Sequence, residues 1–233
     1  MFVEITLGRM TGQLRISFVG DSFVQGVGDA EHRGWVGRVL ERTGRDVTGF
    51  NLGVRRDTSD DVLARCWREV AVRLLAGADN RLVLSFGSND TLEEGGRIRV
   101  EHDRSLANLA ALLQEAARAG VAPLVVSPPP VIDAGGGHQQ RTVELARAMA
   151  GLCDARRVPF IETTEALLDD ATWKREAMAY DGAHPSCGGY QRMADIILAD
   201  CWSHWIVRSG EGGDGERLGG GATLAPKGRG APT

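Results

Sequence analysis

Ser22 follows the apolar run Leu14–Gly20 by two residues, inside Gly20-Asp21-Ser22-Phe23. A hydroxyl placed there can stand over the end of a sheet. If a helix starts nearby, its first N–H groups favour developing negative charge. His184 is the only histidine both preceded at three residues by an acid, Asp181, and followed by a proline, Pro185. A short turn can fold that carboxylate back onto the imidazole Nδ1, fixing the tautomer and stabilising the imidazolium. Gly53 closes Asn51-Leu52-Gly53; lacking Cβ, it lets a substrate oxygen approach its backbone N–H. Asn89, in Gly87-Ser88-Asn89-Asp90, offers a neutral amide that can donate to an oxyanion without bringing a competing charge. A serine, an acid–histidine pair and two kinds of oxyanion donor are the parts that acyl transfer through a covalent serine intermediate requires. Each has an ordinary alternative: a capping serine, an Asx turn at Asn89, a turn glycine, and a capping turn with an incidental histidine. It is the four together that point to one site. Asp90 is a second candidate acid, and Asp181 is preferred because its link to His184 is local.

The elements that must position these residues alternate. Strand-like runs are read at Leu14–Gly20, Val47–Val54, Leu82–Phe86, Val121–Ser127 and Pro159–Glu162. Helical patterns lie between them at Trp35–Thr43, Thr58–Leu75, Leu106–Ala119 and Gln140–Arg156, with a last helix from Cys187 or Gly189 to Val207. Thr58 or Ser59 caps the second of these, and Gly120 stops the third. Such alternation predicts a mostly parallel sheet covered on both faces, with functional residues at the carboxyl ends of its strands. The first three motifs fall at such ends. Gly135-Gly136-Gly137 reads as a mobile loop near the site. From Ser209 the chain is glycine-rich without apolar periodicity and reads as a disordered tail, residues 209–233.

Composition excludes several other classes. With 233 residues the chain has room for one α/β domain with a real core. A net charge of −4 and the lack of a basic run with interleaved aromatics argue against a nucleic-acid partner. No stretch reaches the length of a membrane span, and the apolar run Ile16–Val19 is too short for a secretory signal, so a cytoplasmic location is expected. Cys66, Cys153, Cys187 and Cys201 form no Cys-x-x-Cys pair, so neither a metal nor another cofactor is expected. Cys66 and Cys201 read as small core residues, and Cys187 as a weak rival nucleophile. His32, His102, His138 and His204 read as solvated side chains. The glycines of Gly26-Val27-Gly28 do not continue into a dinucleotide or phosphate-loop pattern, since Glu31 stands where the third glycine would be.

The four blocks resemble the SGNH, or GDSL-type, hydrolase family: Gly20-Asp21-Ser22 (with Phe23 where the family often has leucine), Gly53, Asn89 in Gly-x-Asn-Asp, and Asp181-x-x-His184-Pro185. The match spans residues 14 to about 207, and the domain is set at residues 1–208. The resemblance implies a flavodoxin-like three-layer α/β fold with a five-stranded parallel sheet. It also implies Ser22 as nucleophile, His184 as base, Asp181 as its orienter, and an oxyanion hole from the Ser22 N–H, the Gly53 N–H and the Asn89 amide. The expected substrate is a small-molecule ester. Phe23, Val54 and Ile132, which flank the motifs, are expected to contact it, and Arg55 and Arg56 could meet an anionic or sugar-bearing leaving group. A carbohydrate O-acetylesterase and a non-catalytic acyl- or glycosyl-binding module on the same fold are the alternatives.

Overall fold

The computed structural model describes residues 13–44, 46–133 and 135–206. The expected tail and Val207 lie outside them. In chain order the elements are β1 (Leu14–Gly20), α1 (Ser22–Gln25), α2 (Gly34–Arg42), β2 (Val47–Gly53), α3 (Ser59–Ala71), β3 (Asp79–Ser85), β4 (Glu93–Glu94), β5 (Arg97–Ile98) and α4 (His102–Ala119). They continue with β6 (Ala122–Val126), α5 (Gly135–Ala155), β7 (Phe160–Ile161), α6 (Thr164–Asp169), α7 (Ala171–Tyr180), α8 (Cys187–Ala199) and α9 (Trp202–Ile206).

Five strands form one parallel sheet in the order β2-β1-β3-β6-β7. Alternation along the strands divides the core in two. Leu14, Ile16 and Phe18 of β1, Val83 of β3 and Leu124 of β6 face a cluster completed by Trp35, Trp173, Tyr190, Ile197 and Trp202 from α2, α7, α8 and α9. Val19, Leu82, Leu84 and Val125 face the opposite cluster, built with Val62 and Cys66 of α3, Leu109 and Leu112 of α4, and Leu145 and Met149 of α5. Burial of both sheet faces is what a parallel sheet under two helical layers requires. The result is the expected three-layer α/β sandwich.

Register decides where the motifs meet. Gly20 of β1 is level with Gly53 of β2 on one side and with Ser85 of β3 on the other. Three chain segments therefore leave the sheet side by side at its carboxyl edge. Thr58 caps α3 through a reciprocal pair with Asp61, its side chain accepting from the Asp61 N–H while Asp61 accepts from Thr58.

Several expectations are corrected. The glycines Gly135-Gly136-Gly137 are not a loop but the first turn of α5. Side chains just behind them, at His138, Arg141 and Thr142, bond to the segment after β3 and offset the poor helix propensity of glycine. The last helix is broken: α8 ends at Ala199, and Asp200 and Cys201 separate it from α9, leaving Cys201 half-buried against the core. α4 begins about one turn before the expected Leu106. The β4–β5 hairpin, turning at Gly95-Gly96 with φ of 60° and 76°, and the helices α6 and α7 have no counterpart in the sequence reading. No helix among the described residues is long and apolar enough to cross a membrane.

Candidate active site

Asp21 is the N-cap of α1; its Oδ1 accepts from the Phe23 N–H at 3.0 Å and so places Ser22 in the first helical position. The Ser22 N–H, first in the helix, has no intrahelical acceptor. The turn is tight: a Cβ on Gly20 would stand 1.9 Å from the Ser85 carbonyl oxygen. Ser22 itself is buried except for 4% of its surface.

The other half of the site comes from the loop between α7 and α8. Asp181 ends α7, and its Oδ1 accepts from the N–H groups of Ala183 (3.1 Å) and His184 (2.9 Å). Its other oxygen, Oδ2, lies 2.7 Å from His184 Nδ1. His184 Nε2 lies 2.7 Å from Ser22 Oγ, closing a continuous hydrogen-bonded chain across 162 residues of sequence. The loop is clamped from below: the Gly182 carbonyl accepts from both Ile132 and Asp133 N–H at 2.9 Å. The imidazole rests on the Phe23 ring, 4.9 Å between centroids, and Phe23 in turn stacks on Trp173.

Asn89 leaves the edge after β3. Its Nδ2 donates to the Asp57 carbonyl at 2.9 Å and lies 3.5 Å from Asp21 Oδ2. Ser22, His184, Asp181 and Asn89 all line one cavity of about 180 Å³, walled by Phe23, Leu92, Val131 and Ala183 and rimmed by Arg55 and Arg56. Arg55 also reaches Asp181 Oδ2 at 3.3 Å.

Other residues singled out in the sequence lie elsewhere. The Gly53 N–H donates to Asn51 Oδ1 at 3.0 Å, and a Cβ at Gly53 would stand 2.1 Å from the Gln25 backbone nitrogen. Gly53, Val54 and Ile132 are not among the residues lining the cavity. Val54 is 42% exposed, and Ile132 packs on the core; their neighbours Arg55 and Val131 take the cavity positions. Asp90 is engaged elsewhere: its oxygens accept from the Ser59 N–H (2.7 Å) and the Ser105 hydroxyl (2.6 Å). The Cys187 thiol donates to Asp29 at 3.1 Å, and Cys187 is not among the residues lining the cavity. His138 is not solvated but 2% exposed. Leu92, Val131 and Ala183 were missed, because nothing in an irregular loop marks which residue turns inward.

Electrostatics departs from the expectation in one respect. Burial is the largest influence on His184 and lowers its pKa below the ordinary 6.5, outweighing Asp181, which raises it; Arg55 adds to the lowering. For Asp181, burial pushes upward, but the N–H groups and imidazole that it accepts from hold the carboxyl below its usual range. Asp21, fully buried, is pushed up to about 7, mainly by burial, against the Phe23 N–H and with help from the Asp90 and Asp57 carboxylates.

Among the described residues one set of potential metal ligands lies together, Asp29, Glu31 and Cys187. The Arg38 guanidinium already pairs with both carboxylates, so their charge is answered within the protein.

The fold is shared with known proteins. The structure is similar to a lipase/acylhydrolase from Enterococcus faecalis (TM-score 0.64, 22% identity, covering 82% of this chain and 97% of that one). It is also similar to a lipolytic protein of the G-D-S-L family from Veillonella parvula (0.65, 19%, 80% and 97%) and to a catalytic mutant of an acetylxylan esterase from Geobacillus stearothermophilus (0.67, 18%, 86% and 100%). Among curated proteins none matches the chain. Residues 18–192 match the family described as GDSL-like Lipase/Acylhydrolase, and with three-quarters of its length inside that match the chain belongs to this hydrolase family.

Proposed function

We propose that the chain is a serine-dependent carboxylic ester hydrolase working through an acyl-enzyme. The observation that carries this is the relay Asp181–His184–Ser22, with both links at 2.7 Å, opening on a cavity that Asn89 also lines. In this reading Ser22 Oγ attacks the acyl carbon while its proton passes to His184 Nε2. The imidazolium, held by Asp181, returns that proton to the departing alcohol. Water, activated by the same nitrogen, then attacks the acyl carbon and releases the acid and Ser22. Negative charge that gathers on the carbonyl oxygen meets the Ser22 N–H and the Asn89 amide. The Gly53 N–H is the third donor of this reading: its present acceptor is the neutral Asn51 oxygen, and charge-assisted bonds are roughly twice as strong as neutral ones.

The substrate is a small-molecule ester with a short acyl group. A cavity of about 180 Å³ is below the roughly 300–1,000 Å³ of most ligand pockets, and Phe23, Leu92, Val131 and Ala183 close it on the apolar side. The same observation favours a second reading, a carbohydrate O-acetylesterase. It is supported by the likeness to the acetylxylan esterase, whose catalytic mutants include a serine, an aspartate and a histidine, the last two separated by three positions as Asp181 and His184 are.

A serine-reactive phosphonate probe tests the mechanism: it should label Ser22 in the wild type and leave Ser22→Ala unlabelled. Ligand binding without labelling would instead favour a non-catalytic module. Hydrolysis of an ester series from acetyl to long acyl chains tests the substrate class; turnover that rises with chain length would overturn the short-acyl assignment.

A further inference from the structure

His138, in the second turn of α5, is a buried imidazole outside the relay. It is 2% exposed, and burial, its largest influence, lowers its pKa below the ordinary 6.5. Its Nε2 lies 3.0 Å from the Ser88 carbonyl oxygen and 3.1 Å from Thr91 Oγ1. A carbonyl only accepts, so Nε2 must carry the proton of the neutral ring. Nδ1 is then a bare acceptor, and it is buried without any partner among the described residues. An apolar side chain would fill this space without that cost, since a buried polar atom left unmatched is destabilising. The bond from Nε2 is therefore what the imidazole supplies here.

That bond reaches the backbone next to the cavity. The Ser88 carbonyl belongs to the same rigid peptide plane as the Asn89 nitrogen, so holding it anchors the backbone on the N-terminal side of Asn89 and limits where that side chain can stand. The rest of the network grips the same segment. Ser88 Oγ donates to the Pro129 carbonyl at 2.5 Å, Thr91 Oγ1 and Thr142 Oγ1 are 2.8 Å apart, and Arg141 Nε donates to the Thr91 carbonyl at 3.0 Å. The first turns of α5 thus hold the Ser88–Thr91 segment through His138, Arg141 and Thr142.

We propose that His138 is a positioning residue for the oxyanion site: it aims the Asn89 amide through the Ser88–Asn89 peptide. This inference rests on the proposed role of Asn89 as a transition-state donor. Donors of that kind act through placement, and a displacement of about 1 Å can cost roughly a hundredfold in rate.

The test is steady-state hydrolysis of a short-chain ester by variants at the two positions. His138→Leu should lower kcat about ten- to a hundredfold with KM changed less than about twofold, because the bond matters only once charge develops. His138→Gln, whose terminal amide can reach the Ser88 carbonyl as Nε2 does, should recover most of that loss. His138→Asn, polar but one methylene shorter, should not, which separates reach from polarity even if the leucine variant folds poorly. Adding His138→Leu to Asn89→Ala should cost nothing more, since the amide it positions is gone. Additive losses in the double variant, or equal losses in the glutamine and asparagine variants, would overturn the positioning role while leaving Asn89 in place. Normal kcat in Asn89→Ala alone would overturn the oxyanion assignment and this inference with it.

Discussion

Replacing Asp21 by asparagine should stabilise the protein, and by an amount that grows with pH. Asp21 is fully buried beneath the site, and its carboxyl is pushed from an ordinary 3.8 up to about 7 in the folded chain. In the unfolded chain it ionises near 3.8. Between those values the native state holds a proton that the unfolded state has released, so stability falls as pH rises through the window. A displacement of about three pH units at roughly 1.4 kcal/mol each amounts to roughly 4 kcal/mol above pH 7. An asparagine oxygen can keep the bond from the Phe23 N–H, 3.0 Å in the native protein, without ever carrying charge. The gain from Asp21→Asn should therefore be under about 1 kcal/mol at pH 4, near 1.7 kcal/mol at pH 5 and roughly 4 kcal/mol at pH 8. Urea unfolding of both proteins at pH 5 and pH 8 measures it. With a slope of about 2–3 kcal/mol per M, the separation of midpoints should widen by roughly 1 M between the two pH values. Titrating groups that do not interact with Asp21 cancel in the difference; the Asp90 and Asp57 carboxylates, which repel it, lose that repulsion in the variant and shift the difference in the same direction. A stability difference that stays flat from pH 5 to pH 8 would refute the reasoning, because it would mean that Asp21 is ionised in the native state throughout.

The remaining expectations concern turnover. Ser22→Ala and His184→Ala should each abolish nearly all activity while the fold persists, with losses on the order of 10⁶, and Asp181→Asn should cost on the order of 10⁴; normal turnover by pure Ser22→Ala would exclude the mechanism. Asn89→Ala should lower kcat by roughly 10²–10³ with little change in KM, and a pure KM effect would place Asn89 among the substrate-binding groups. The rate should rise with pH through a midpoint below 6.5, because burial of His184 dominates, and Asp181→Asn should move that midpoint lower still; a wild-type midpoint above 6.5 would contradict the burial argument.

The site's principal parts were legible in the sequence because parallel neighbouring strands bring their carboxyl ends level, so motifs placed after Gly20, near Gly53 and after Phe86 had to meet. The link from Asp181 to His184 was legible because it is local. What escaped depends on tertiary contact. The first turn of α5 defies the propensity of three glycines because His138, Arg141 and Thr142 are tethered to the Asn89 segment. Two-residue strands such as β4 and β5 have no period to detect. Val131 lines the cavity and Ile132 does not, a difference of one residue in irregular backbone. The direction of the His184 shift could not be read from its acid partner, because burial is a property of the packed molecule.

The level register of β1 with both neighbours also separates the chain into parts that tolerate changes of length and parts that do not. Deleting one residue within β1 would draw Ser22 back by about 3.3 Å and turn the following residues to the opposite face of the sheet, and no hydrogen bond to His184 survives such a step. The Gly95-Gly96 turn of the β4–β5 hairpin is exposed, and its glycines have open space where a Cβ would be. Leu92, just before that hairpin, forms part of the cavity wall. Insertions at the hairpin tip could therefore reshape the rim above the cavity while the Asp181–His184–Ser22 contacts keep their dimensions. A library built there would explore new leaving groups on an unchanged chemical engine, whereas one built in β1 would return inactive proteins.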